Sequence, residues 1–259
     1  MTVPAPSRDQ IRAVVAGRPI AHRGLHDIAA GIVENTLAAA RSAAERGFAI
    51  EVDIQLTADD AIVVYHDDRL ERLNAGEGAI LDLPLETVRA VPFHVGTERI
   101  PTLAELFETV AGRVPLIIEL KGTKGRPDVD RKLTALFIAA ARGYAGPFAA
   151  MSFEPGIVAQ LADEAPDIIR GIVADDTRDL RWNGHLPPVE RWRRRHLAHV
   201  GRTRPHFCSY CVDHLPAIGP WLFRNVLGGV LITWTVRTPA QVAATQRHAD
   251  QMTFEGFVP

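Results

Sequence analysis

The stretch "FAIEVDIQL", Phe48 to Leu56, decides how this chain is read. It is apolar and β-branched, with no Gly or Pro, as a buried strand should be. Yet it carries Glu51 and Asp53. Side chains on a strand alternate faces, so residues two apart point the same way, roughly 7 Å apart by strand rise. Burying two ionised carboxylates on one face is very unfavourable without something to cancel their charge.

Outward from this strand, apolar runs alternate with helix-like stretches. "RPIAHRG" reads as a strand ending at His22, and "ENTLAAARSAAERG" as a helix closed by Gly47. "AIVVYHDD" reads as a further strand running into His66. "VPLIIELKG", "FAAMSF", "DIIRGIVAD", "PHFCSYCVD" and "GVLITWTV" complete the strands. Helices are expected at "IPTLAELFETVAG", "PDVDRKLTALFIAAARGY", "PGIVAQLADEAP" and "TPAQVAATQRHA". Residues 69–100 read as a small insertion with little regular structure. About eight strands alternating with helices predict a parallel sheet closed into an α/β TIM barrel, with residues 1–259 as one domain. An open doubly wound sheet is the runner-up, and no G-x-G-x-x-G or phosphate loop supports it.

The bulk numbers agree. The 259 residues suit one α/β barrel, with 47% apolar and 23% charged residues. A formal net charge of −2 argues against a nucleic-acid partner. No apolar run reaches membrane-span length and the N-terminal stretch lacks signal-peptide character, so the expectation is a cytoplasmic protein with no stable membrane anchor. The two cysteines of "CSYC" form no disulfide framework and read as buried or half-buried thiols. The basic run "ERWRRRHLAH", residues 190–199, reads as a solvated face, with an anionic substrate or membrane surface as the functional alternative.

In a barrel, strand C-termini carry the chemistry. Glu51, Asp53 and Glu119 would then converge from different strands, and a hard divalent cation, Mg²⁺ or Ca²⁺, would offset their charge. The competing arrangement pairs each carboxylate with an Arg or Lys. His22 and His66 fit a general acid and base. Arg23 and Lys121 add positive charge suited to a phosphate.

Together "AHRGLHD...ENTLAAA", "EVDIQLTADDAIVVYHDD", "IPTLAELF", "PLIIELKG", "SFEP" and "TWTVRTPAQ" resemble the glycerophosphodiester phosphodiesterase family, from about Pro19 to Ala249. The resemblance implies a TIM barrel with a small insertion. It also implies metal-dependent hydrolysis of a small-molecule glycerophosphodiester to glycerol 3-phosphate and an alcohol. It puts His22 and His66 in the catalytic places and Glu51, Asp53 and Glu119 in the metal places. Arg23 and Lys121 fall in phosphate-contacting places, Glu34 and Asn35 in a supporting pair, and Trp234 near the pocket. Alternatives are the same chemistry on a sugar or inositol phosphodiester or a lysophospholipid, or a silent barrel that binds phosphate esters. Two departures stand out. The final strand is weakly written in "ADQMTFEGFVP", with Glu255 a candidate for the usual Asp. After "HDD", "RLERLNAGEG" replaces a Thr-rich turn.

Overall fold

The computed structural model describes residues 5–123 and 125–259. Residues 1–4, the start of the N-terminal stretch assessed for a signal, lie outside the described residues. Among the described residues nine strands form: β1 (Ile20–Ala21), β2 (Ala49–Leu56), β3 (Ile62–Val64), β4 (Leu116–Leu120), β5 (Phe148–Ser152), β6 (Ile169–Ala174), β7 (Phe207–Cys211), β8 (Val230–Val236) and β9 (Gln251–Phe254). The helices are α1 (Arg8–Val15), α2 (Leu37–Glu45), α3 (Leu85–Ala90), α4 (Leu103–Val110), α5 (Pro127–Ala141), α6 (Pro155–Glu164), α7 (Leu180–Asn183), α8 (Pro188–Arg195), α9 (Val200–Thr203), α10 (Ile218–Asn225) and α11 (Pro239–His248).

The sheet runs β1-β9-β8-β7-β6-β5-β4-β2-β3, and a β1–β2 pairing closes the ring. The fold is a TIM barrel of eight strands with one strand outside the ring. Membership of the ring corrects the sequence reading. "AIVVYHDD" was expected among the eight; instead β3 pairs antiparallel with β2, Ile54 opposite Val64. A hairpin through Asp59 and Asp60 is too short for the crossover that a parallel neighbour needs. The eighth barrel strand is β9, from the weakly written C-terminal stretch. It pairs parallel with β8, with an irregularity between Thr233 and Val236.

The chain divides into two compact units. One comprises 21–121 and 128–148; the other comprises 1–20, 122–127 and 149–259. In the first, Thr36 caps α2 by accepting from the Ala39 N–H, and the helix buries Ala39, Ala40, Ala43 and Ala44. Small side chains let α2 come close to the turn after β1, where the Leu25 N–H donates to the Ala39 carbonyl at 3.0 Å. The segment 69–100 contributes Leu70, Ile80, Val88, Phe93 and Ile100 to a core shared with Val33, Val63 and Tyr65. Its regular structure is α3 and a 3₁₀ turn at Ile80–Asp82.

In the second unit, Ile172, Cys208, Tyr210 and Leu231 pack with Val158, Leu197 and Phe223 between the strands and the helices. Cys208 is buried and Cys211 half-buried, both free thiols, with burial pushing Cys211 up to about 11. No helix among the described residues is long and apolar enough to cross a membrane.

Candidate active site

Register brings the acids together. In the parallel β2–β4 pairing, Asp53 lies opposite Glu119. Paired residues on neighbouring strands share a face, and Glu51 is two positions from Asp53 on that face. Glu51, Asp53 and Glu119 are all buried, and each offers an oxygen within 4.8 Å of the others.

The turn after β1 carries His22 and Arg23. Arg23 and Gly24 both adopt left-handed backbone, with φ of 56° and 78°. A side chain at Gly24 would lie 2.8 Å from the Ala39 backbone, so position 24 requires glycine on two counts. This turn aims the Arg23 N–H at Glu51 Oε2, 2.9 Å away, and leaves His22 Nε2 3.9 Å from the same oxygen. Asn35, also left-handed at φ 57°, donates through Nδ2 to Asp53 Oδ2 at 3.0 Å. Its Oδ1 accepts from the Asp53 N–H at 3.2 Å. Such a two-way clamp holds the Asp53 carboxylate in one orientation.

The cations only partly balance the acids. Lys121 Nζ lies 3.1 Å from Glu119 and 3.4 Å from Asp53, and Arg23 Nε lies 3.5 Å from Asp53. Among the described residues, two Lys or Arg side chains therefore face three carboxylates. Burial raises the Asp53 pKa, but Lys121, His66, Arg23 and the Asn35 hydrogen bond outweigh it, so Asp53 is held well below the usual range. Glu51 goes the other way: burial, then Asp53 and Glu119, push it well above the usual range despite Arg23. Burial also raises Glu119, against the pull of Lys121. The alternative in which every carboxylate has its own basic partner therefore accounts for Asp53 and Glu119 but leaves Glu51 over. An all-oxygen trio with surplus negative charge is a donor set that fits a hard divalent cation.

His66 follows β3. Its Nδ1 is 2.6 Å from Asp67 Oδ1. Although burial raises Asp67, His66 and Arg72 outweigh it and hold the carboxyl below the usual range. An ionised carboxylate only accepts, so Nδ1 carries the hydrogen and Nε2 is the nitrogen left for chemistry. Gln55, also on β2, donates through Nε2 to the Tyr65 and Asp67 carbonyls at 2.9 and 2.8 Å, fixing the backbone on both sides of His66.

Arg72, within the segment read as irregular, ties these parts together. It donates to Glu34 at 3.1 and 2.7 Å and to both oxygens of Asp67. Glu34 in turn accepts from Arg23 Nη1 at 2.6 Å. One guanidinium thus steadies the partner of His66 and the partner of Arg23. The sequence reading set Glu34 and Asn35 beside the site but missed Asp67, Gln55 and Arg72. Asp67 and Gln55 had a signal, as polar neighbours of His66 and Asp53 in sequence. Arg72 had none, because nothing local says where an irregular loop returns.

Trp234 lies on β8 in the other unit. Its Nε1 donates to the Ser209 carbonyl at 3.1 Å, and its ring meets Phe153 edge-on at 5.4 Å. Glu255 pairs with Arg237 at 3.1 Å.

Comparison with known proteins bears on this arrangement. A glycerophosphodiester phosphodiesterase of Caldanaerobacter subterraneus is 39% identical over 123 residues, 44% of this chain and 49% of the relative. The chain thus spans about half the length of the first curated relatives it matches. Glycerophosphodiester phosphodiesterase 1 of Bos taurus is 27% identical over 245 residues, covering 86% of this chain and 66% of the relative. A solved phosphodiesterase from Oleispira antarctica, in complex with the product sn-glycerol-3-phosphate, superposes with a TM-score of 0.75 at 21% identity, over 93% of this chain and 94% of that one. The profile of the Glycerophosphoryl diester phosphodiesterase family matches residues 22–257, and the chain belongs to that family.

Proposed function

We propose that this chain hydrolyses glycerophosphodiesters to glycerol 3-phosphate and an alcohol, with a divalent cation, Mg²⁺ or Ca²⁺, held by Glu51, Asp53 and Glu119. The observation that carries the reading is the buried carboxylate trio, its charge incompletely balanced, in the same unit as His22 and His66. The names of the relatives and the glycerol 3-phosphate bound in the Oleispira protein supply the substrate class. Residues 1–259 act as one barrel domain with 69–100 as its insertion, working on a small soluble substrate in the cytoplasm.

When bound, the cation supplies Lewis-acid polarisation of the phosphoryl group and lowers the pKa of a nearby hydroxyl. The chain's own residues do the rest. One histidine takes the proton of the attacking hydroxyl as the new P–O bond forms; the other gives a proton to the alcohol oxygen as the old P–O bond breaks. Asp67 keeps His66 in the tautomer with Nε2 available. Arg23 and Lys121 stabilise the charge that gathers on the phosphoryl oxygens. The attacking hydroxyl is either water, giving glycerol 3-phosphate directly, or the neighbouring glycerol hydroxyl, giving a cyclic phosphate that water then opens to glycerol 3-phosphate.

The test is release of glycerol 3-phosphate from glycerophosphocholine and glycerophosphoethanolamine, in chelator and then with Mg²⁺ or Ca²⁺ restored. Cation-dependent release is expected. No release from either substrate with either ion, by folded protein, would refute the proposal.

A further inference from the structure

A second surface, in the unit of residues 149–259, has a composition that hydrolysis of a small molecule does not use. Among the described residues, eleven large apolar side chains are left exposed, and eight of them fall between Leu180 and Leu227, under a fifth of the chain. Five of these eight lie on two helices. On α8, Val189 and Trp192 are one turn apart, with Trp192 58% exposed and its ring 5.1 Å from that of His196. On α10, Gly219, Pro220 and Phe223 face inward, while Ile218, Trp221 and Leu222 stand out at i, i+3 and i+4. The helices touch: a side-chain carbon at Gly219 would lie 3.0 Å from the Arg195 carbonyl oxygen. Both belong to the segments that leave the C-terminal ends of β6 and β7.

The charge around these apolar residues is one-sided. Helix α8, "PVERWRRR", carries four arginines and one glutamate, a net +3 in a chain of net −2. Arg194 is committed to Glu154 at 2.8 Å and to Glu190 at 3.3 Å, which pins the helix. Arg193 has only a 3.9 Å approach to Glu190. Among the described residues, neither Arg191 nor Arg195 has an acidic side chain within ion-pair distance. Exposed tryptophan and aliphatic groups beside unpaired arginines match the boundary of an anionic bilayer, where Trp sits at headgroup level and Arg meets lipid phosphates. A second copy fits poorly, because pairing this face with itself would bring two positive helices together. Nucleic acid offers no partner for Val189, Ile218 and Leu222.

We propose that α8 and α10 form a docking face for an anionic phospholipid surface, holding the protein reversibly at a membrane. The test is flotation of the full chain with vesicles of phosphatidylcholine alone or mixed with phosphatidylglycerol, at low and high salt. Binding is expected to the anionic vesicles, little to the neutral ones, and less at high salt. Each arginine near such a surface is worth about fivefold in partitioning. R193E/R195E should therefore lower binding at least ~10-fold, and W192S/W221S by a similar factor. Arg193, Trp192 and Trp221 are exposed, Arg195 is half-buried, and none of the four touches the carboxylate trio or the histidines, so circular dichroism and glycerophosphocholine hydrolysis should match wild type. Four results would overturn the proposal: no binding of folded wild type to anionic vesicles, equal binding to neutral ones, binding unchanged by both variants, or a wild-type dimer that W192S/W221S dissociates.

Discussion

Glu51→Gln should make the cation-free protein more stable while lowering its activity. Glu51 faces two like charges with ligand oxygens within 4.8 Å, and each such pair repels by about 3.5 kcal/mol at an effective dielectric of about 20. Arg23 offsets roughly one of the two, which leaves a penalty of about 3 kcal/mol for an ionised Glu51. Glutamine has nearly the same shape and keeps an oxygen for the Arg23 N–H, now 2.9 Å from Glu51 Oε2. The pH dependence gives the sharper readout. The Glu51 pKa is raised on folding, so above the ordinary value of 4.5 the unfolded chain releases a proton that the folded protein keeps. Wild-type stability relative to the variant therefore falls as pH rises from there to the folded pKa, by up to about 1.4 kcal/mol per pH unit. Thermal melts in chelator should show wild type and variant close together at about pH 4, where both states are protonated. At about pH 8 the variant should melt roughly 6–12 °C higher. Adding Mg²⁺ or Ca²⁺ should raise the wild-type Tm more than that of the variant. A variant that melts lower at about pH 8, or by the same offset at both pH values, would sink the argument that Glu51 carries surplus charge.

Other outcomes follow from the same geometry. His22→Ala and His66→Ala should each lower kcat at least ~100-fold, and activity within a few-fold of wild type in either would remove its acid–base role. Asp67→Asn presents His66 Nδ1 with an amide that can donate, favouring the wrong tautomer; kcat should fall about 100-fold with KM little changed, and ¹⁵N shifts of the ring should report the switch. Arg72→Leu unclamps Asp67 and Glu34 together, so it should reduce kcat more than Arg72→Lys, and equal losses would argue against the two-carboxylate clamp. Gly24→Ala should cost about 2–4 kcal/mol in denaturant melts, because it combines left-handed backbone with a contact against α2; a loss below ~1 kcal/mol would show that the turn can relax.

The sequence by itself determined the alternation of strands and helices, hence the barrel, because apolar periodicity and turn residues are local signals. It also marked the acids. Carboxylates inside a strand as apolar as Phe48–Leu56 are improbable without a compensating group, and Glu119 carries the same anomaly on β4. Ring membership was not legible. Whether "AIVVYHDD" or "QMTF" joins the barrel depends on which edges remain unpaired, and a hairpin after Leu56 took the first out of contention. The supporting residues divide along the same line. Asp67 and Gln55 are sequence neighbours of the residues they serve, whereas Arg72 reaches Glu34 across 38 positions. Only the tertiary structure decided that reach, because the path of the loop follows the burial of Leu70, Ile80 and Phe93. It also decided the uneven pairing of the three acids, since two basic side chains lie within reach of Asp53 and Glu119 while Glu51 meets chiefly a backbone N–H.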